Sequence, residues 1–168
     1  VLFGALSFAI AQSMRGGGSV MDDERTKLTA SEIVDYGAVL ANAASQLRLR
    51  GVRPDAISLE NPILAGYANG NCADDTCRIF ALDGGGVTYK APSIDWMAST
   101  QSAQPGYGQW VFSGLNEVEL VGTDGSTAAN KELIAFLPYV TRALCIALNE
   151  KANMDNPSGD PPQEADTI

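Results

Sequence analysis

The 168 residues are 45% hydrophobic and 18% charged, which is typical of a globular protein with a buried core. A net charge of −9 argues against nucleic-acid binding through neutralised phosphates. Since the chain has no histidine, Ser-His-Asp catalysis, Cys-His catalysis and histidine-based zinc sites are excluded. We predict that the protein is not an enzyme and that it has no cofactor.

The chain starts with an uncharged apolar run, residues 1–11. The run is too short to span a bilayer, which needs roughly 20 residues. It has no basic leading region and only a loose match to a signal-peptide cleavage site. We interpret it as the lower half of a membrane-embedded helix whose upper half would precede Val1. The alternatives are a signal-peptide remnant and an ordinary buried helix. The side chains predicted to enter the membrane or to pack in an assembly are Leu2, Phe3, Leu6, Phe8 and Ile10.

Three glycines at residues 16–18 predict a break, a kink or a melted turn after this run, because each costs roughly 1 kcal/mol in a helix. Residues 21–50 then predict a long amphipathic helix with Gly51 as its C-cap. Apolar side chains recur at steps of three to five residues and form one stripe, which we expect to pack on a sheet. The stripe consists of Leu28, Ile33, Tyr36, Leu40, Ala44 and Leu47.

Two antiparallel strand pairs are predicted to form that sheet. The first joins residues 76–82 to residues 87–90 through the glycine-rich turn 83–86. The second joins residues 109–113 to residues 117–121, where valine and leucine alternate with glutamate and indicate one buried face. The predicted fold class is therefore α+β, with a long N-terminal helix packed on an antiparallel sheet.

A C-terminal helical segment is predicted over residues 127–153, interrupted by Pro138. The proline-rich, acidic residues 153–168 predict a disordered tail. The predicted organisation is thus the end of an apolar helix with a glycine-rich break (1–20), one globular α+β domain (21–152) and the tail.

The cysteines predict one local disulfide. Cys72 and Cys77 bracket a short acidic turn, a spacing that can close a small loop in an oxidising compartment. Free thiols or a metal site are the alternatives at this pair. Cys145 lies among apolar residues of the C-terminal helix and is expected to be a buried, inert thiol.

Other patterns give weaker indications of a site. Trp96, Tyr107 and Trp110 could form an aromatic platform for a ligand, although packing in the core is the alternative. Residues 123–127 and 155–160 resemble parts of calcium loops but lack the alternating oxygen ligands and the terminal glutamate. No metal site is predicted.

Four stretches and the order of the elements resemble type IV pilins and pseudopilins, in particular pilin-like proteins of Gram-negative bacteria. The stretches are VLFGALSFAIAQS, DGGGVTYKAP, WVFSGLNEVELVGT and LCIALNEKANM. The resemblance implies cleavage by a prepilin peptidase and an N-terminal helix that anchors in the inner membrane and later packs in a fibre core. The family's cleavage-site glycine and its glutamate at the fifth mature position would lie upstream of Val1.

The function expected from this resemblance is that of a structural subunit or minor component of a type IV pilus or type II secretion filament. The expected partners are other pilin-like subunits, through the N-terminal helix, and inner-membrane lipid. The expected location is the inner membrane with a periplasmic domain, and the cell surface after assembly. The alternatives are a tethered periplasmic module that binds a ligand on the aromatic cluster, and a small hydrolase working through carboxylates.

Overall fold

The computed structural model describes the backbone of residues 2–116 and 132–161, and the side chains of residues 22–114 and 132–161. Its main elements are two helices, α1 (Leu2–Leu49) and α2 (Arg142–Lys151), and two strands, β1 (Val111–Asn116) and β2 (Glu132–Phe136). Short 3-10 turns include Pro54–Ala56, Asp75–Cys77, Ile94–Trp96, Ser99–Gln101 and Pro157–Gly159. The predicted α+β class is confirmed.

The chain divides into two compact units. The first, here called the helical unit, contains α1 up to Val34 and the chain from Thr141 onward. The second, the mixed unit, runs from Asp35 to Val140 and contains the C-terminal part of α1 and both strands. The boundaries predicted at residues 20 and 152 remain predictions.

Helix α1 has helical backbone over 48 residues and belongs to both units. It passes through residues 16–18 without interruption, so the predicted break is wrong at the level of the backbone. Glycine weakens the propagation of a helix, but the costly step is nucleation. Helical residues flank the three glycines on both sides, so no new nucleation is needed there. A local propensity cost is therefore compatible with a continuous helix.

The C-terminal part of α1 supplies one wall of the core of the mixed unit. Tyr36, Leu40, Ala43 and Leu47 are buried at the three- and four-residue steps that place them on one face. Leu28, which was predicted to belong to the same stripe, is 69% exposed. The stripe therefore begins later in the helix than the sequence pattern indicates.

Gly51 ends α1 as predicted. Its φ of 91° is the left-handed conformation that glycine adopts most easily. The N–H of Val52 donates to the carbonyl of Leu47 (3.0 Å), and the N–H of Gly51 donates to the carbonyl of Arg48 (3.0 Å). This pair of hydrogen bonds is the Schellman motif, which satisfies carbonyls at the helix end.

Replacing Gly37 by alanine is expected to raise the free energy of unfolding by about 0.5–1 kcal/mol. Gly37 lies inside α1, and a Cβ atom there would meet nothing within 4 Å. Alanine therefore lowers the entropy of the unfolded chain without a clash. Urea unfolding of the two proteins measures the change. Gly51→Ala is the matched control, because its positive φ strains alanine and should lower stability instead.

The two strands pair antiparallel, with Val111 opposite Phe136 and Ser113 opposite Ile134. The partner of β1 is thus β2, whose residues were predicted to be helical, and that prediction is wrong. The predicted partner, residues 117–121, lies outside the described residues. Short apolar runs do not distinguish a strand from a helix by periodicity alone, and here the pairing with β1 selects the strand.

The first predicted strand pair is also wrong. Within residues 76–90 the described backbone forms no strand pair but a single parallel bridge, between Ser58 and Arg78. Ser58 donates to the carbonyl of Cys77 (2.9 Å) and accepts from the N–H of Ile79 (2.9 Å). One hydrogen bond joins the two predicted strands, from the N–H of Val87 to the carbonyl of Ile79 (3.2 Å), and the bridge at Arg78 is made with a more distant segment.

Helix α2 confirms the later part of the predicted helical zone, and Leu144 and Ala147 are its buried side chains. Its end is closed by Asn153, which adopts a left-handed φ of 56°. The N–H of Asn153 donates to the carbonyl of Glu150 (3.1 Å), and the N–H of Met154 donates to the carbonyl of Asn149 (2.8 Å). Asparagine tolerates this conformation better than most residues, so it serves here in place of glycine.

The first part of the predicted tail contacts α2. Asn149 donates to the side chain of Asn156 (2.9 Å), and Arg142 donates to the carbonyl of Gly159 (2.7 Å) and pairs with Asp160. Residues 153–161 thus have contacts to α2, and the disorder of the tail remains a prediction. The rest of the tail, residues 162–168, lies outside the described residues.

Candidate functional site

The apolar residues predicted to drive assembly have helical backbone in α1, and their side chains lie outside the described residues. They are Leu2, Phe3, Leu6, Phe8 and Ile10. In the part of the chain that the structure describes, no helix is long and apolar enough to cross a membrane.

The predicted disulfide between Cys72 and Cys77 is confirmed, with the two Cα atoms 5.7 Å apart. The bridge closes a loop that contains the 3-10 turn Asp75–Cys77. Asp74 caps this turn, because its carboxylate accepts from the N–H (2.9 Å) and the hydroxyl of Thr76. The Thr76 hydroxyl and then its N–H hold the pKa of Asp74 below the ordinary value. This direction is opposite to the raised pKa that a carboxylate acting as a general acid requires.

Removing the disulfide with Cys72→Ser and Cys77→Ser together is expected to lower the free energy of unfolding by about 2 kcal/mol. The loop is short, so the bridge restricts the unfolded chain only modestly. Urea unfolding at equal protein concentration measures the loss. Cys145→Ser is the control, since Cys145 is a free, half-buried thiol, and it should change stability by less. An equal loss in both proteins would contradict the prediction.

Residues 81–86, here called the glycine loop, pack directly on the disulfide turn. The N–H of Gly85 donates to the carbonyl of Arg78 (2.8 Å). A Cβ atom at Gly84 would lie 2.5 Å from the carbonyl oxygen of Asp75 and closer still to that of Arg78. The glycines are therefore required by close approach of two backbones. A run of glycines can signal such an approach, although it is also typical of the hairpin turn predicted here.

The glycine loop is also tied to the end of α1. Arg50 donates from its guanidinium to the carbonyls of Asp83 (3.3 Å) and Gly84. Inside the loop, the N–H groups of Gly84 and Gly86 both donate to the carbonyl of Ala81 (3.1 and 2.8 Å). The loop thus has a defined conformation that depends on contacts from two other segments.

The aromatic platform predicted from Trp96, Tyr107 and Trp110 is not present as an exposed set of three rings. Trp110 is 5% exposed, and its ring centroid lies 5.5 Å from that of Tyr36. Its indole N–H donates to the carbonyl of Lys90 (3.0 Å). Trp110 is therefore a core residue, whereas Trp96 and Tyr107 are half-buried and their binding of a ligand remains a prediction.

Side chains hold the extended segment 87–90, which was predicted to be a strand. The hydroxyl of Tyr36 accepts from the N–H of Lys90 (3.1 Å) and donates to the carbonyl of Thr88 (3.3 Å). Burial raises the pKa of Tyr36 and the pKa of Tyr89. Tyr36 and Trp110 thus replace a neighbouring strand as hydrogen-bond partners, a role that the periodicity of the segment alone does not reveal.

A second aromatic group, which the sequence analysis missed, lies within the mixed unit. The rings of Tyr67 and Phe112 are 5.3 Å apart, those of Phe112 and Phe80 are 5.9 Å apart, and those of Phe80 and Tyr89 are 5.7 Å apart. The hydroxyl of Tyr67 also accepts from the N–H of Phe112 (3.3 Å). Two of these pairs are edge-to-face and one is tilted, arrangements that add to the stabilisation from burial, and these aromatic side chains join loop segments to β1.

Among the described residues, no group of three or more cysteine, aspartate or glutamate side chains is arranged to hold a metal ion. Residues 155–160, one of the calcium-like stretches, use Asn156 and Asp160 in contacts with α2. The other stretch, residues 123–127, lies outside the described residues.

Comparison with known proteins finds no family model, no curated protein and no solved structure that matches the chain.

Proposed function

We propose that the protein is a non-enzymatic, pilin-like subunit or minor component of a type IV pilus or type II secretion filament, anchored in the inner membrane before assembly. The observation that carries the proposal is the uncharged apolar segment, residues 2–11, which has helical backbone and precedes a folded domain. An apolar helical segment followed by a folded domain suits a subunit that anchors and assembles through that segment.

The apolar end requires an environment other than water. Residues 2–11 carry no charge, and the first charged residue of the chain is Arg15. Leaving a large apolar side chain in water forfeits about 1.5–3 kcal/mol relative to burial, and five such residues lie in this segment. Lipid or the same segment of other copies supplies the burial.

The length of the apolar segment suits lipid, and its small residues suit packing against other copies after assembly. Residues 2–11 measure about 15 Å along the helix, half of the roughly 30 Å of a bilayer's hydrocarbon core. The proposal therefore requires further apolar residues upstream in the native protein. Small residues at Ala5 and Ala9, four positions apart, allow close approach of neighbouring helices in an assembly.

The disulfide supports the proposed periplasmic location of the domain. Disulfides form and persist in oxidising compartments, which include the bacterial periplasm. The alternative of a tethered ligand-binding module required an exposed aromatic platform, and Trp110 is buried. No contact among the described residues favours that alternative over the filament subunit.

The first test is N-terminal sequencing of the native protein recovered from the membrane fraction of the cells that produce it. The expected result is roughly ten or more further apolar residues with an early glutamate behind a processed end. Val1 as the mature N-terminus of a soluble periplasmic protein would overturn the proposal.

The second test is disulfide crosslinking between copies in membranes. With Cys145→Ser as the background, Ala9→Cys in the native chain is expected to give covalent dimers under mild oxidation. Ala41→Cys, at an exposed position of the same helix within the mixed unit, is the matched control and should crosslink far less. Equal crosslinking at the two positions, or none at Ala9→Cys, would contradict assembly through the apolar end.

A further inference from the structure

We propose that the Cys72–Cys77 disulfide is a redox-sensitive clasp for the glycine loop. Reduction of the bridge by a dithiol releases residues 81–86 from the disulfide turn and from Arg50. The inference concerns the mixed unit alone and does not rest on the proposed filament function.

The disulfide fixes the backbone of the turn that the glycine loop contacts. It closes the chain from Cys72 to Cys77, and the 3-10 turn inside it sets the positions of the carbonyls of Asp75 and Arg78. The N–H of Arg78 donates to the carbonyl of Asp75 (3.2 Å), so the two ends of the turn are connected. Ion pairs of Arg78 with Asp75 (2.7 Å) and Glu60 (3.1 Å) add little to this support, because they are partly exposed. Hydrogen bonds from Thr76 to Asp74, and between Ser58 and the backbone of Cys77 and Ile79, also hold the turn. The disulfide adds a covalent link that closes it.

The glycine loop contacts the same two carbonyls. Gly84 approaches the carbonyl oxygens of Asp75 and Arg78 so closely that no side chain fits, and Gly85 donates its N–H to Arg78 (2.8 Å). A backbone contact of this kind tolerates almost no displacement of either partner. If the turn loosens, the loop therefore loses the backbone contacts that fix its position.

The bridge is accessible to a reductant. Cys72 is half-buried and is flanked by exposed residues, whereas Cys77 is 7% exposed. A thiolate of the dithiol attacks the sulfur of Cys72, and Cys77 leaves as a thiolate that takes up a proton. The second thiol of the reductant then attacks the mixed disulfide. The products are two protein thiols and the reductant as a cyclic disulfide.

Release of the loop changes the surface of the mixed unit. Leu82, at the tip of the loop, is 92% exposed, and Arg50 at the end of α1 loses both carbonyl partners when the loop moves. Oxidation therefore fixes the position of an exposed leucine, and reduction frees it.

Amide hydrogen exchange of the oxidised protein and of the protein reduced with dithiothreitol tests the clasp. The expected result is exchange about tenfold faster at Gly85 and Val87 after reduction, with the amide of Cys145 in α2 unchanged. Removal of dithiothreitol and reoxidation should restore the slow rate. The double variant Cys72→Ser and Cys77→Ser should exchange rapidly at these amides with or without the reductant.

Two outcomes would overturn the inference. Faster exchange confined to residues 72–76, with Gly85 and Val87 unchanged, would show that the loop holds its position without the bridge. If Gly85 and Val87 opened with the same free energy as Phe112 in β1 both before and after reduction, the loop would not be released on its own, and the disulfide would act only by stabilising the whole mixed unit.

Discussion

Replacing Gly84 by alanine is expected to lower the free energy of unfolding by about 3 kcal/mol or more. The new Cβ atom would meet the carbonyl oxygens of Asp75 and Arg78, both of which belong to the backbone. Backbone atoms cannot rotate away as the end of a flexible side chain can, so either the glycine loop or the disulfide turn must move. Urea unfolding followed by circular dichroism measures the loss.

The matched control for this change is Gly70→Ala. Gly70 lies in a neighbouring loop, its φ is not positive, and a Cβ atom there would meet nothing within 4 Å. Stability should change by less than about 0.5 kcal/mol. Similar losses in the two variants would show that general loop flexibility, and not close backbone approach, explains the glycine at position 84.

Replacing Trp110 by alanine is expected to lower the free energy of unfolding by about 3–5 kcal/mol. The side chain is almost fully buried, it packs against the ring of Tyr36, and its N–H satisfies the carbonyl of Lys90. Truncation leaves a cavity and an unsatisfied acceptor at the same place. Thermal and urea unfolding, with near-ultraviolet circular dichroism to follow the aromatic packing, measure the effect.

Two variants separate the contributions of Trp110. Trp110→Phe retains a ring against Tyr36 but loses the hydrogen bond to Lys90, so a smaller loss is expected than for alanine. Trp96→Ala should also cost less than Trp110→Ala, because Trp96 is only half-buried. If Trp96→Ala were as destabilising as Trp110→Ala, the assignment of Trp110 to the core and Trp96 to its margin would be wrong.

Features that depend on neighbouring residues were predictable. The amphipathic part of α1 follows from the helical spacing of Tyr36, Leu40 and Leu47, and its end follows from Gly51. The disulfide was predictable because two cysteines five positions apart can meet across a short turn without help from distant segments. In each case the residues that decide the structure lie within a few turns or one loop of each other.

Features that depend on distant partners were not predictable. Residues 132–136 form a strand because β1 pairs with them, although their short apolar pattern also fits a helix. Residues 87–90 have the alternation of a strand, but the side chains of Tyr36 and Trp110 satisfy their backbone groups. The three aromatic residues proposed as a ligand platform also differ in burial, since Trp110 is buried and the other two are half-buried. Composition and spacing do not predict this difference.

Composition and short-range spacing were enough to predict the α+β class, the long helix with its glycine cap and the local disulfide, and they exclude histidine chemistry. The contact of the glycine run with a second backbone, the place of Trp110 in the core and the strand β2 depend on packing between distant segments. The physical reason is that buried area and hydrogen-bond partners are set by segments far apart in the chain, and local propensity is weaker than the packing that joins them.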